Sequence, residues 1–334
     1  MSSYTYKLLQ HPQPSRKGMS GFTMIEMMIS IAIGLMIIAA LVGVLTSSAS
    51  SSKTNDTTSE LQSNGRYALN HLQRELHHAG YRGYLAAKPS SAAWTTGAIA
   101  NECQFTGDPA NSFVKNIRQG VWGHNDNTTN PFAGNCLPNT KFDTSINSDI
   151  LVIRRAAVMP TLAASAVAAS YYLHSAYDSL TLQNGSSLPV SNNTGAENFA
   201  LQVYVYYIGK DDNDATIPAL RRVTLVGASM QDEMVVSGIE QMQFEYGITT
   251  KSGTVESTQY FTADNIAGTP GATGATAWDS VNSVRIWLLA RNAKQEAGYQ
   301  NSQTYAMSAT NYPVVDGFRR QLFNTVVQLR NFRD

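Results

Sequence analysis

Few side chains in this 334-residue sequence stand in patterns that do chemistry, and each has a plainer structural use. His71, His77 and His78 share one helical stretch, with His71 and His78 two turns apart; a metal site is one use, and an exposed amphipathic face is the expectation. Asp211, Asp212 and Asp214 crowd one short segment. Hard oxygens suit calcium, but the spacing of an EF-hand loop is missing, so a solvated turn is expected. Arginine pairs at 154–155, 221–222 and 319–320 could line a nucleic-acid stripe. In a strand, neighbouring side chains face opposite ways, so ion pairing with the acids of a sheet is the simpler expectation. No G-x-S-x-G elbow, H-E-x-x-H, P-loop lysine or G-x-G-x-x-G occurs. The sequence therefore points to no catalytic residue, no resident metal and no cofactor.

Composition narrows the class further. Lys+Arg and Asp+Glu are 24 each, so no basic excess exists to neutralise phosphates and a nucleic-acid partner is not expected. With 43% hydrophobic residues the chain can build a core, which excludes a disordered protein. The apolar residues concentrate between Met27 and Leu45, 19 residues without charge or proline. As a helix this run spans about 28 Å, close to the hydrocarbon thickness of a bilayer, and a single crossing is predicted. Residues 1–21 hold Lys7, Arg16 and Lys17 and no acid, which predicts a cytoplasmic N-terminus. Cys103 and Cys136 then lie on the oxidising side, where a disulfide closing a 34-residue loop would contribute roughly 3–4 kcal/mol; two free buried thiols are the alternative. An ordinary secretory signal would instead be cut after the run, near Ser47, Ala49 and Ser50, and leave a soluble periplasmic protein.

The residues at the start of the run argue against such a cut. They read Gly21-Phe22-Thr23-Met24-Ile25-Glu26, with one carboxylate at the edge of an otherwise uncharged span. This pattern resembles the class III signal of type IV prepilins. The resemblance implies cleavage after Gly21 by a prepilin peptidase, N-methylation of Phe22 and retention of the apolar helix. It also implies a register role for Glu26, paired with the α-amine of a neighbouring subunit's Phe22 in an apolar bundle, where an unpaired charge is penalised. A simpler use of Glu26 is as the acid of a first helical turn, and the two uses are compatible.

No proline falls between Pro14 and Pro89. Leu61, Ala68, Leu72, Leu76 and Ala79 lie on one helical face and Gly80 suits a C-cap, which predicts a helix from Phe22 to Ala79, 58 residues and about 87 Å long. The Ser-rich joint at 46–52 and Gly43 are weak helix formers, so a bend or melted joint is expected there. The stretch LQSNGRYALNHLQRELHHAGYRGY, Leu61 to Tyr84, resembles the same region of PilW-type minor pilins. So do the segments 148–154, 238–247, 283–291 and 318–331, whereas 85–147 and 160–200 resemble nothing identified. Strands are expected at 201–208 and 220–226 with a turn at 209–213, and at 179–183, 281–290 and 321–329; Asn184-Gly185 marks a second tight turn. The glycine triplets of 268–276 suggest a surface loop.

The expected fold is α+β: a long N-terminal helix, its first half membrane-spanning, packed on a β-rich antiparallel head. The layout is a basic leader at 1–21, a transmembrane or filament-core helix at 22–45, an amphipathic continuation at 46–80 and a periplasmic head at 81–334. The resemblance implies a structural subunit of an assembly-initiating tip complex that supports pilus biogenesis, adhesion and twitching motility. Its implied partners are the prepilin peptidase, other minor pilins, the major pilin, the inner-membrane assembly platform and a large tip adhesin. A type II secretion pseudopilin of the J type is the alternative within the class, although those heads are generally smaller. A signal-anchored periplasmic receptor for DNA is the alternative outside it.

Overall fold

The computed structural model describes residues 21–89, 93–94, 98–105, 113–125, 129–133, 136–190, 195–252, 255–266 and 277–332. The basic leader residues Lys7, Arg16 and Lys17 and the glycine triplets of 268–276 lie outside these. The chain divides into two units, Met1–Asn55 and Asp56–Asp334. One helix, α1 (Met24–His78, 55 residues), runs through the division. The Ser-rich joint does not melt: residues 46–52 are helical throughout, and the Thr46 hydroxyl donates to the carbonyls of Val42 and Gly43, both at 3.0 Å. Its polar group is thereby satisfied inside the helix.

Burial along α1 begins only at Leu61, fifteen residues later than an amphipathic half starting at 46 would give. From there Leu61, Gly65, Ala68, Leu72 and Leu76 face the core of the second unit. Gly65 is in close contact with the ring of Phe323, which occupies the place a larger side chain would need. Glu75 accepts from Arg155 Nε at 3.0 Å and Nη2 at 2.8 Å, both side chains under 10% exposed. The helix stops at Gly80, whose φ of +70° is the left-handed conformation of a glycine cap; its N–H donates to the Arg154 carbonyl at 3.0 Å. Asn331 Nδ2 caps the carbonyl of Ala79 at 3.0 Å.

In chain order the strands are β1 (Ala93–Trp94), β2 (Gln104–Phe105), β3 (Val121–His124), β4 (Phe132–Ala133), β5 (Ile150–Pro160), β6 (Tyr171–Ser175), β7 (Leu180–Asn184), β8 (Glu197–Lys210), β9 (Pro218–Val226), β10 (Ser229–Ser237), β11 (Ile239–Ser252), β12 (Val255–Phe261), β13 (Val281–Arg291), β14 (Thr304–Met307), β15 (Thr310–Pro313) and β16 (Arg320–Gln328). An eight-stranded sheet runs β1-β7-β6-β8-β5-β3, with β9 also on β8 and β10 on β9. A four-stranded antiparallel sheet runs β12-β11-β13-β16, and β14-β15 and β2-β4 form two ribbons. The α+β expectation holds, and the strands anticipated from 201, 220, 281 and 321 are β8, β9, β13 and β16.

The strand β8 is the centre of the first sheet. It pairs with β5 on one edge and with β6 and then β9 on the other. Val203 to Ile208 are buried without alternation, as a strand covered on both faces requires. Asn184-Gly185 does not close a hairpin. Asn184 Oδ1 accepts from the Ser186 N–H at 3.1 Å and starts a short 3-10 turn, while the β6–β7 hairpin closes at the other end, Ala176 N–H to Ser179 O at 2.9 Å.

Of the segments that resembled nothing, 160–200 supplies β6 and β7 to the eight-stranded sheet, and the described residues of 98–140 form a loop-rich corner. Cys103 and Cys136 are joined in a disulfide with Cα atoms 4.7 Å apart. Beside it Phe105, Phe113, Trp122 and Phe132 form an aromatic cluster, Phe105 to Trp122 centroids at 4.6 Å. Two buried arginines hold the adjoining loop by its carbonyls. Arg154 donates to Phe113 O (2.7 Å) and Gln119 O (2.9 Å), and Arg82 to Ile117 O (3.2 Å) and Arg118 O (2.9 Å). Burial pushes the Arg82 guanidinium down to about 10. Gly120, on this loop, lies against Gly80: a Cβ there would stand 2.5 Å from the Gly80 Cα.

Because that obstacle is backbone, Gly120→Ala is expected to cost about 1–3 kcal/mol, read as a lower thermal midpoint of the head. Cys103→Ser is expected to destabilise the head by about 3–4 kcal/mol, and non-reducing electrophoresis with thiol labelling should find no free thiol in the parent protein. A parent thiol that labels fully in the native state would contradict the bridge.

Candidate functional site

Residues 21–23 have no regular structure and the chain turns helical at Met24. The turn is fixed by two side chains just ahead of the apolar run, Thr23 and Glu26. Thr23 Oγ1 accepts from the Glu26 N–H at 3.3 Å, and Glu26 Oε2 accepts from the Thr23 N–H at 3.2 Å and its hydroxyl at 3.0 Å. This reciprocal arrangement is a capping box, in which orphan donors of the first turn are satisfied. The Thr23 carbonyl already accepts from Met27 N–H at 3.2 Å. Glu26 thus takes the first-turn role foreseen for it, and Oε1 is left without a partner among the described residues. Thr23 was the residue overlooked; the spacing Thr-x-x-Glu before an apolar run is the signal that finds it.

Gly21 and Phe22 precede the cap and make no part of it. Nothing lies within 4 Å of where a Gly21 Cβ would stand, and Phe22 is 84% exposed. Both residues flanking the Gly21–Phe22 peptide bond thus stand outside the helix. Beyond it, Met24, Ile25, Met28, Leu35, Met36 and Leu45 are each more than 60% exposed. Apolar side chains surround this part of α1 on every side, and it is one helix long and apolar enough to cross a membrane. A helix apolar all round needs lipid or other helices about it. Glu26 is the sole charged residue between Lys17 and Lys53.

The other candidate residues are absorbed by the head. His71 is buried rather than exposed: Arg74 Nη2 contacts its Nδ1 at 3.4 Å, and its Nε2 lies 3.0 Å from the Tyr206 hydroxyl. Burial, and then the charge of Arg222, hold its pKa below the ordinary histidine value. His77 and His78 each place Nδ1 on a backbone carbonyl, of Gln328 at 3.2 Å and Arg74 at 2.8 Å. Asp211 is buried too, its Oδ1 accepting from the Asn213 N–H at 2.8 Å, while Asp212 pairs with Lys141 and Arg221 and Asp214 accepts from Thr216. The acids at this tip tie down their own loop. Among the described residues no three metal-ligating side chains converge. The arginine pairs divide between faces and are consumed in ion pairs or carbonyl bonds. Arg221 meets Asp232 at 2.6 Å, Arg222 meets Glu233, Arg319 meets Glu296, and Arg320 meets Glu240 and Asp316.

Comparison with known proteins places both ends of this arrangement. Residues 16–42 match the prokaryotic N-terminal methylation motif, and residues 205–331 match the family described as Type IV Pilus-assembly protein W. The second match takes in the segments 238–247, 283–291 and 318–331; those at 61–84 and 148–154 lie outside it. No curated protein matches the chain. A solved type IV-like pilin from Thermus thermophilus aligns over 84% of this chain and 97% of its own, at 12% identity and a TM-score of 0.33. The chain thus carries a prokaryotic N-terminal methylation motif at the mouth of its apolar helix and, over residues 205–331 of its head, is similar to the family described as Type IV Pilus-assembly protein W.

Proposed function

We propose that the chain is a minor pilin, a structural subunit of the complex that initiates a type IV pilus and remains at its tip, and so supports biogenesis, adhesion and twitching motility. The observation that carries this reading is the state of Glu26. It is the single carboxylate of the apolar segment 22–45, and it is capped through one oxygen, the other having no partner among the described residues. A cleaved neighbour would offer the matching charge, the α-amine of Phe22. The cap and the intersubunit pair use different oxygens, so one carboxylate serves both. In this reading the helix of 22–45 is held in the inner membrane with the N-terminus cytoplasmic and the head periplasmic. The peptidase cuts at Gly21, the assembly platform extrudes the helix, and other minor pilins, the major pilin and a tip adhesin are its partners.

Two outcomes are expected. The mature protein should begin with N-methyl-Phe22, and Gly21→Val should block the cut by crowding the peptidase with a β-branched side chain; N-terminal sequencing that finds a terminus after Ser47 or Ala49 would overturn the reading. Glu26→Gln separates the two uses of the side chain, because glutamine also completes a capping box. The variant should be inserted and processed, yet leave a buried amine uncompensated, a loss of about 3–5 kcal/mol per pair. Surface pili and co-purifying minor pilins should both fall in a deletion strain complemented with it. Normal piliation would leave Glu26 a cap and nothing more.

A further inference from the structure

The arginines of the head are almost all spoken for. Among the described residues, every arginine except Arg66, Arg74 and Arg330 bonds a carboxylate or a backbone carbonyl. Among the described residues, Arg74 touches only the ring nitrogen of His71, and Arg330 bonds no side chain or carbonyl. These two line one open groove of about 460 Å³ between the C-terminal turns of α1 and the turn Arg330–Phe332. His77 and His78 line it as well, and Tyr81 and Val158 give it an apolar wall. No acid is among its lining residues.

The end of a helix ordinarily disfavours an anion, since its last carbonyls carry partial negative charge. Here the carbonyls of Leu76, His77 and His78 are covered, by the Ala79 N–H at 3.1 Å, Asn331 Nδ2 at 3.5 Å and the Tyr81 N–H at 3.0 Å. The positive charge of the two guanidiniums is therefore not cancelled locally. The wall of the groove continues along the chain into an uncharged stretch, 157–169, in which Val158, Met159, Leu162 and Val167 are 54–75% exposed. A free phosphate would use the cations and leave this apolar strip in water. A protein segment that alternates carboxylates with apolar side chains would use both, and the carboxylate–guanidinium bond has the planar fit that arginine favours.

We infer that this groove is a docking site for an acidic, apolar segment of a partner protein, its carboxylates on Arg74 and Arg330 and its apolar side chains on Val158 and the strip beyond. The inference takes its setting from the reading of the chain as an assembly subunit, but its test does not pass through processing or filament formation. A failure here leaves that reading untouched.

The test uses the full chain in non-ionic detergent and a labelled octapeptide alternating glutamate with leucine, with the glutamine–leucine peptide as its uncharged counterpart. Fluorescence anisotropy should show the glutamate peptide binding and the glutamine peptide binding at least about tenfold more weakly. Arg74→Gln and Arg330→Gln should each weaken the glutamate peptide by about tenfold, the loss of roughly one charge-assisted contact. Val158→Ser should weaken it too, while Arg66→Gln, exposed but outside the groove, should not. All four side chains are surface-placed, so each variant should melt with the parent, and circular dichroism checks that they do. Equal binding of the two peptides, or parent-like affinity in both groove-arginine variants, would overturn the proposal. Displacement of the peptide by pyrophosphate or by duplex DNA at lower concentration than unlabelled peptide would overturn it as well and make the groove a phosphate site.

Discussion

A helix that is apolar on every side cannot be at rest in water, and everything else about this chain is arranged around that constraint. Between Gly21 and Leu45 the exposed surface is aliphatic, methionine-rich and uncharged except for Glu26. Such a segment must be covered by lipid or by its own kind. Its carboxylate is kept at the extreme end, where a first-turn acid is favoured by the dipole and where Thr23 supplies a local donor pair. The charge is thus tolerated by the single chain, and among the described residues one of its oxygens is unused.

The head answers to a different constraint, the burial of charge inside a large β structure. Glu75 on α1 and Arg155 on β5 are both nearly inaccessible, and they meet in a two-point contact. Arg82 and Arg154 donate to loop carbonyls. Breaking such an arrangement from one side leaves an uncompensated charge, which is worse than never having had the pair. The arginines of the strands therefore act as ties between α1, the sheets and the loop corner that the disulfide closes.

The parts legible in the sequence were those with a strong local period or a strong local charge signal. The apolar run, the cap at Gly80 and the buried face from Leu61 to Leu76 follow from composition and helical spacing. Strand β8 was visible because its valines and tyrosines run without polar interruption. What was not legible depends on pairing at a distance. His71 reads as surface by its type, and only Tyr206, 135 residues away, explains its burial. Asn184-Gly185 looks like a hairpin turn until the β6–β7 register assigns the turn to the other end of β7. Serines at 46–52 predict a weak joint from propensity alone, but the helix carries through them. Of the candidate site, Gly21, Phe22 and Glu26 stood out by spacing, while Thr23 was hidden by its ordinariness.

The capping box begins at Thr23, one residue past Phe22, and neither Gly21 nor Phe22 contributes a bond to it. A cut between those two would remove the leader without breaking any hydrogen bond of the helix start. The cut would change the electrostatics of the helix start: a neutral amide becomes a cationic amine four residues ahead of the helix's own glutamate, on a capping box that is already formed. Maturation of this chain would then be a switch of sign at a fixed position, with no refolding step to wait for.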